Sequence, residues 1–132
     1  MFEYTTFIRM CDVDAAGVLF FPNQFRIVEE AYEVFLESVG KPLGKIIAQD
    51  VYGLPVVHAE TNYRAPLRLG DRIILKLSLS HQGTTSFTLS HEIYKADGVL
   101  VGSGHTIHVC LDRQTGQKIP LPEEWNEILQ KI

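Results

Sequence analysis

A chain of 132 residues has the length of one domain, enough for its own core and too little for two. Hydrophobic residues make up 45% and charged residues 21%, a soluble composition, and a net charge of −4 without any Lys or Arg run argues against nucleic-acid binding. No apolar run reaches the roughly 18 residues that span a bilayer, and Met1-Phe2-Glu3-Tyr4 lacks the basic and apolar regions of a signal peptide. The expectation is a cytoplasmic protein with no nucleic-acid or membrane partner. Cys11 and Cys110 both fall in strand-like runs and read as two buried thiols of a reducing compartment. The histidines at 58, 81, 91, 105 and 108 are scattered. His105 and His108, three apart in a strand, point to opposite faces. No metal site and no cofactor are expected.

In chain order, Phe2 to Cys11 alternates as a strand, with a weakly partitioned pattern. From Pro22 the period changes. Phe25, Val28, Tyr32, Phe35 and Val39 share a helical face with Ala31 and Leu36 beside them, and Arg26, Glu29, Glu30, Glu33 and Glu37 take the other side. Pro22 suits the first turn and Gly40 the left-handed position after the last, which predicts a helix of about 18 residues and about 27 Å. Leu43, Ile46, Ile47 and Val51 suggest a short second helix ended by Gly53-Leu54-Pro55. Val56 to Arg64 reads as a strand closed by Pro66, and Leu69-Gly70-Asp71 as a turn.

Ile73, Leu75, Leu77 and Leu79 then alternate cleanly with Ile74, Lys76, Ser78 and Ser80. A turn at Gln82-Gly83-Thr84 leads to a strand carrying Phe87, Leu89, His91 and Ile93, and Asp97-Gly98 is a hairpin signal. Val99 to Leu111 is long for a strand, and its Gly102 and Gly104 predict a bend or a close backbone approach. A short helix around Trp125 ends the chain. Strand, long helix, then about four antiparallel strands joined by short turns is an α+β plan. One helix cannot cover both sheet faces, so a homo-oligomer formed through the sheet is expected.

The stretch that organises these elements is Asp12-Val13-Asp14-Ala15-Ala16-Gly17-Val18-Leu19-Phe20-Phe21-Pro22-Asn23. A carboxylate closely followed by a helix N-terminus supplies a nucleophile or base and a backbone donor for an oxyanion. Read alone, either aspartate is in the first place a turn residue.

This stretch, the element order, and Tyr63-Arg64-Ala65-Pro66-Leu67-Arg68-Leu69-Gly70-Asp71 together resemble the hot-dog fold thioesterases of the 4-hydroxybenzoyl-CoA thioesterase type. The Asp-Ala-Ala-Gly form and Leu54-Pro55-Val56-Val57-His58 look like the branch that hydrolyses 1,4-dihydroxy-2-naphthoyl-CoA in quinone biosynthesis. The resemblance implies a single hot-dog domain over residues 1–132, a curved antiparallel sheet wrapped around one long central helix. It implies Asp14 as nucleophile or base toward the thioester carbonyl, with the backbone N–H of Phe21 as oxyanion donor. Gly17 would bring the loop backbone against the acyl group, Asn23 would hold the helix start or touch substrate, and His58 would either line the acyl pocket or be a satisfied strand histidine. The active site would lie at the interface of a dimer or tetramer.

One departure bears on the substrate. Where the family carries basic residues for the CoA phosphates, this chain has Gln82, Gly83, Thr84 and Thr85. Phosphate contacts then fall to the hydroxyls of Thr84 and Thr85, to backbone N–H groups, or to Arg64 or Arg68. A general short- or medium-chain or 4-hydroxybenzoyl-type acyl-CoA thioesterase, or an acyl-carrier-protein thioesterase, is the alternative. A hydratase, or a non-catalytic acyl-CoA-binding protein, would share the fold.

Overall fold

The computed structural model describes residues 1–132. Strand β1 (Phe2–Phe7) leads through a 3₁₀ turn (Met10–Asp12) to helix α1 (Asn23–Ser38), then to α2 (Leu43–Gln49) and a two-residue strand β2 (Tyr52–Gly53). Strands β3 (Val56–Tyr63), β4 (Arg72–Gln82), β5 (Ser86–Lys95) and β6 (Leu100–Val109) follow, with β7 (Leu111–Asp112) and α3 (Glu124–Leu129) closing the chain. Five strands form one antiparallel sheet in the order β1-β4-β5-β6-β3, and β2 pairs with β7. Irregularities at Val56/His58, Leu79/His81 and Ile93/Tyr94 curve the sheet. The helices are few, of 16, 7 and 6 residues. None is long and apolar enough to cross a membrane.

The short turns expected throughout hold for β4–β5 and β5–β6 but not for β3–β4. Residues 64–71 carry the chain from the β3 edge to a strand beside the opposite edge. Strand alternation shows which residues face the core; it does not show which strand lies next to which.

The first strand also stops earlier than its alternation suggested. The Asp12 carboxylate accepts the Arg9 N–H at 2.8 Å, and residues 10–12 wind into a turn instead of continuing the ladder. Cys11 is therefore exposed, contrary to expectation, while Cys110 is buried; neither forms a disulfide.

Helix α1 starts one residue after Pro22 and ends in the way Gly40 predicts. Gly40, at φ +75°, lets its own N–H reach Glu37 O (3.1 Å) and the Lys41 N–H reach Leu36 O (2.9 Å). The buried face is rotated toward Gln24 and Ile27 compared with the apolar count, leaving Phe25 half-buried. That face crosses the sheet. Phe35 packs edge-on against Phe2 of β1 at 5.5 Å, Tyr32 lies 4.9 Å from the His108 ring of β6, and Gln24 bonds Thr61 of β3. Ile73, Leu75 and Leu77, then Phe87, Leu89 and Ile93, supply the opposing layer. Trp125 of α3 is fully buried, stacks near Phe87 at 5.6 Å and donates its indole N–H to Tyr52 Oη at 2.9 Å, which fastens the C-terminus to the same core.

Two buried histidines stand in this layer. His108 lies between Tyr32 and Phe87, and His91 bonds Thr61 Oγ1 at 2.9 Å. Loss of hydration lowers both from 6.5 to about 4, with the charge of His105 adding to the effect at His91. Both are thus neutral in the folded state at pH 7, and they take up protons on unfolding below their ordinary value. The associated stability is present above pH 6.5 and is lost as pH falls toward 4. From these shifts, urea unfolding at pH 5 compared with pH 7 is expected to show a loss of about 2 kcal/mol per histidine. A stability that stays flat over this interval would contradict the assignment.

Candidate active site

Asp14 lies at the tip of a small hairpin. Val13 bridges Leu19, the Asp14 N–H donates to Val18 O at 2.9 Å, and Gly17 N–H returns to Asp14 O at 3.0 Å. The Asp14 Oδ1 accepts the N–H groups of Ala16 (2.9 Å) and Val18 (3.3 Å), and Gly17 makes the turn at φ +75°. One carboxylate oxygen therefore holds the turn, and Oδ2 is not engaged in it. The turn role and an outward-facing carboxylate coexist in one residue.

Asp12 is the fixed point behind the hairpin. Its buried carboxylate pairs with Arg26 of α1 at 2.6 Å as well as accepting from Arg9. Its carbonyl oxygen accepts both the Phe20 N–H and the Asn23 side-chain amide, each at 2.9 Å. Asn23 is thus committed to holding the loop against the helix. The Asn23 N–H donates to Phe20 O at 2.9 Å, which fixes the peptide plane joining Phe20 and Phe21. The N–H in that plane belongs to Phe21, and it finds no acceptor within the chain. It stands at the N-terminal end of α1, where the aligned peptide dipoles favour negative charge.

Beside this donor runs a groove of about 390 Å³ lined by Val18, Leu19, Phe21, Gln24, Tyr63, Arg64, Ala65, Pro66 and Leu67. Its two walls are tied together: Leu19 N–H donates to Leu67 O at 2.8 Å, and Tyr63 Oη to Phe21 O at 2.7 Å. Gln24, buried in the helix face, donates to Thr61 Oγ1 (2.7 Å) and Asn62 O (3.1 Å), and Thr61 continues to His91. Sequence reading missed this polar chain. Gln24 was detectable, because it sits one turn before Ile27 and Val28 and two before Ala31 on the apolar face. Gly102 is the matching signal, since a Cβ there would lie 2.6 Å from Gln24 Nε2.

The structure gathers Asp14, Gly17, Phe21 and Asn23 into one loop and the helix start that follows it, and leaves the other expected residues elsewhere. Thr84 and Thr85 lie beyond the far end of β4, roughly 33 Å of strand away. Their carbonyls accept from Leu121 N–H and Cys110 N–H, at 2.9 and 2.8 Å. His58 pairs across from Ile107, on the sheet face turned away from α1, and so does not reach the groove of its own chain. Instead it stacks on His105 with ring centres 5.3 Å apart. The histidines that looked scattered along the chain are, for this pair, neighbours in space.

The family profile of the thioesterase-like superfamily matches residues 8–131. The chain belongs to that superfamily. Within it, the chain is 37% identical over 125 residues to a 1,4-dihydroxy-2-naphthoyl-CoA hydrolase of Rippkaea orientalis, covering 93% of this chain and 91% of the relative. Its fold superposes on the crystal structure of a 1,4-dihydroxy-2-naphthoyl-CoA thioesterase from Synechocystis with a TM-score of 0.94 and 32% identity, over 99% of this chain and 96% of that one. A gentisyl-coenzyme A thioesterase structure matches at a TM-score of 0.85 and 29% identity, over 96% of this chain and 98% of the other. Among members of the superfamily, then, the chain is similar to enzymes named for hydrolysing aromatic acyl-CoA thioesters.

Proposed function

We propose that this chain is a cytoplasmic acyl-CoA thioesterase whose substrate is 1,4-dihydroxy-2-naphthoyl-CoA, as in the quinone-pathway relatives it resembles over its length. The observation that carries the reading is the unpaired Phe21 N–H at the helix start, on the wall of a largely apolar groove and one hairpin away from Asp14. The thioester carbonyl oxygen takes that N–H, which stabilises the charge as it develops. Asp14 either attacks the carbonyl carbon, expelling the CoA thiolate and leaving a mixed anhydride that water opens, or draws a proton from the attacking water. No step uses a cofactor.

The domain is read as one hot-dog unit over residues 1–132, with α1 as its central helix, working as a homodimer or as a tetramer built of two such dimers. Every residue of β3 but one is exposed, including Val56, Val57 and Tyr63, and β3 is an edge strand. Pairing β3 with a second copy of itself, antiparallel about a two-fold axis, covers that edge. It also reverses one sheet relative to the other, so the Thr84–Thr85 end of one subunit approaches the Asp14 end of its partner. That supports a shared site, with threonine hydroxyls and Arg64 or Arg68 serving the CoA phosphates.

The test is thiol release from a panel containing 1,4-dihydroxy-2-naphthoyl-CoA, 4-hydroxybenzoyl-CoA, a short- and a medium-chain acyl-CoA and an acyl-carrier-protein thioester. The naphthoyl thioester is expected to give the highest kcat/KM. Release of no thiol from any member would sink the enzyme reading; a different preferred member would sink only the substrate.

A further inference from the structure

The exposed face of the sheet, opposite α1, holds a second cluster that the acyl chemistry does not use. The register of β3 against β6 sets Glu60 directly across from His105, and His58 stands two residues before Glu60 on the same face. His58 Nε2 lies 3.3 Å from one carboxylate oxygen of Glu60, and His105 Nδ1 lies 3.3 Å from the other. The three sets of ligand atoms are all within 4.8 Å of one another. Two nitrogen or oxygen ligands held by one zinc ion at about 2.0 Å in tetrahedral geometry are themselves about 3.3 Å apart. Each imidazole stands at that distance from one Glu60 oxygen, and a modest side-chain rotation closes the wider separations, up to 4.8 Å, onto a single ion. No Lys or Arg pairs with Glu60; the side chains within ion-pair distance of it are the two imidazoles alone.

We infer that His58, Glu60 and His105 form a binding site for a divalent transition metal of the zinc class, clamping edge strand β3 to β6. Two imidazoles and one carboxylate suit zinc and its neighbours, whereas magnesium and calcium prefer oxygen ligands throughout. All three side chains are partly exposed, so water completes the coordination and the ion has open access. The ligands stand on paired strands of one sheet, which limits how far they must move to close on the ion.

The test uses the full-length protein, stripped of metal by dialysis against a chelator and titrated with Zn²⁺ in competition with a chromogenic chelator. The expected result is one zinc ion bound per chain, unaffected by excess Mg²⁺. His58→Ala and His105→Ala should each weaken binding by about tenfold or more, and His81→Ala, on the exposed end of β4, should not. Zinc should raise the unfolding temperature of the wild type and leave that of His105→Ala unmoved. A chain that binds no zinc, or binds it equally well in the His58→Ala and His105→Ala variants, would overturn the assignment. The readout is binding, so failure here leaves the thioesterase reading untouched.

Discussion

Replacing Asp14 by asparagine is expected to lower kcat on the best acyl-CoA by at least about 10²–10⁴-fold, the contribution of a positioned base, with KM changed little. Asparagine is the informative replacement because of the hairpin. Asp14 Oδ1 holds the Ala16 and Val18 N–H groups, and the asparagine carbonyl oxygen takes the same bonds. The loop, the Phe21 peptide plane and the groove therefore persist, and the only thing removed is the ionised oxygen facing outward. Alanine would remove the turn acceptor as well and mix two effects. Steady-state kinetics with a thiol reagent, checked against unchanged urea unfolding, measures the difference. A variant within tenfold of wild type in kcat would show that Asp14 only shapes the loop.

The second large effect concerns Gly104. A Cβ at this position would collide with the Glu60 carbonyl oxygen and come within 2.7 Å of Thr61 Cα, both backbone atoms of β3. Backbone held in a strand ladder cannot give locally as a side-chain end can, so Gly104→Ala must push the whole edge strand β3 away from β6. The expected cost is on the order of 4 kcal/mol, a large share of the 5–15 kcal/mol typical of a whole domain. Displacing β3 also moves Thr61, and with it the bond that positions Gln24 beside the groove. Gly44 is the control: it lies in α2 with open space where a Cβ would go, and Gly44→Ala should be neutral or slightly stabilising. Urea unfolding of both variants decides the matter. A Gly104→Ala midpoint close to wild type would mean the strand pair is looser than its geometry implies.

What was legible in the sequence was local. The 3.6-residue period of α1, its stop at Gly40, and the Asp97-Gly98 hairpin all arise from interactions within a few residues, and each appears where expected. The close approach predicted at Gly102 and Gly104 is also present. The errors share a different origin. The early end of β1 depends on Asp12 capturing the Arg9 N–H and then meeting Arg26, fourteen residues on. Cys11 is exposed for the same reason. The Gln24–Thr61–His91 chain and the His58–His105 pair exist because β3 docks beside β6, which no alternation pattern encodes. Of the candidate site, the Asp14-to-Asn23 loop was readable because it is continuous in the chain. The placement of His58, Thr84 and Thr85 was not, because it depends on strand order and on sheet face.

The two walls of the groove come from separate stretches of chain. Residues 12–24 carry the carboxylate and the backbone donor, and they are locked by bonds centred on Asp12. Residues 63–67 complete the opposite wall and are joined to the first stretch mainly through a backbone bond to Leu67 and the Tyr63 hydroxyl. The side chains of Ala65 and Pro66 take no part in those ties. On the mechanism proposed above, cavity width can thus vary at these two positions while Asp14 and the Phe21 N–H stay in register. On that reading, a lineage exploring new acyl groups can alter selectivity there without rebuilding its chemistry.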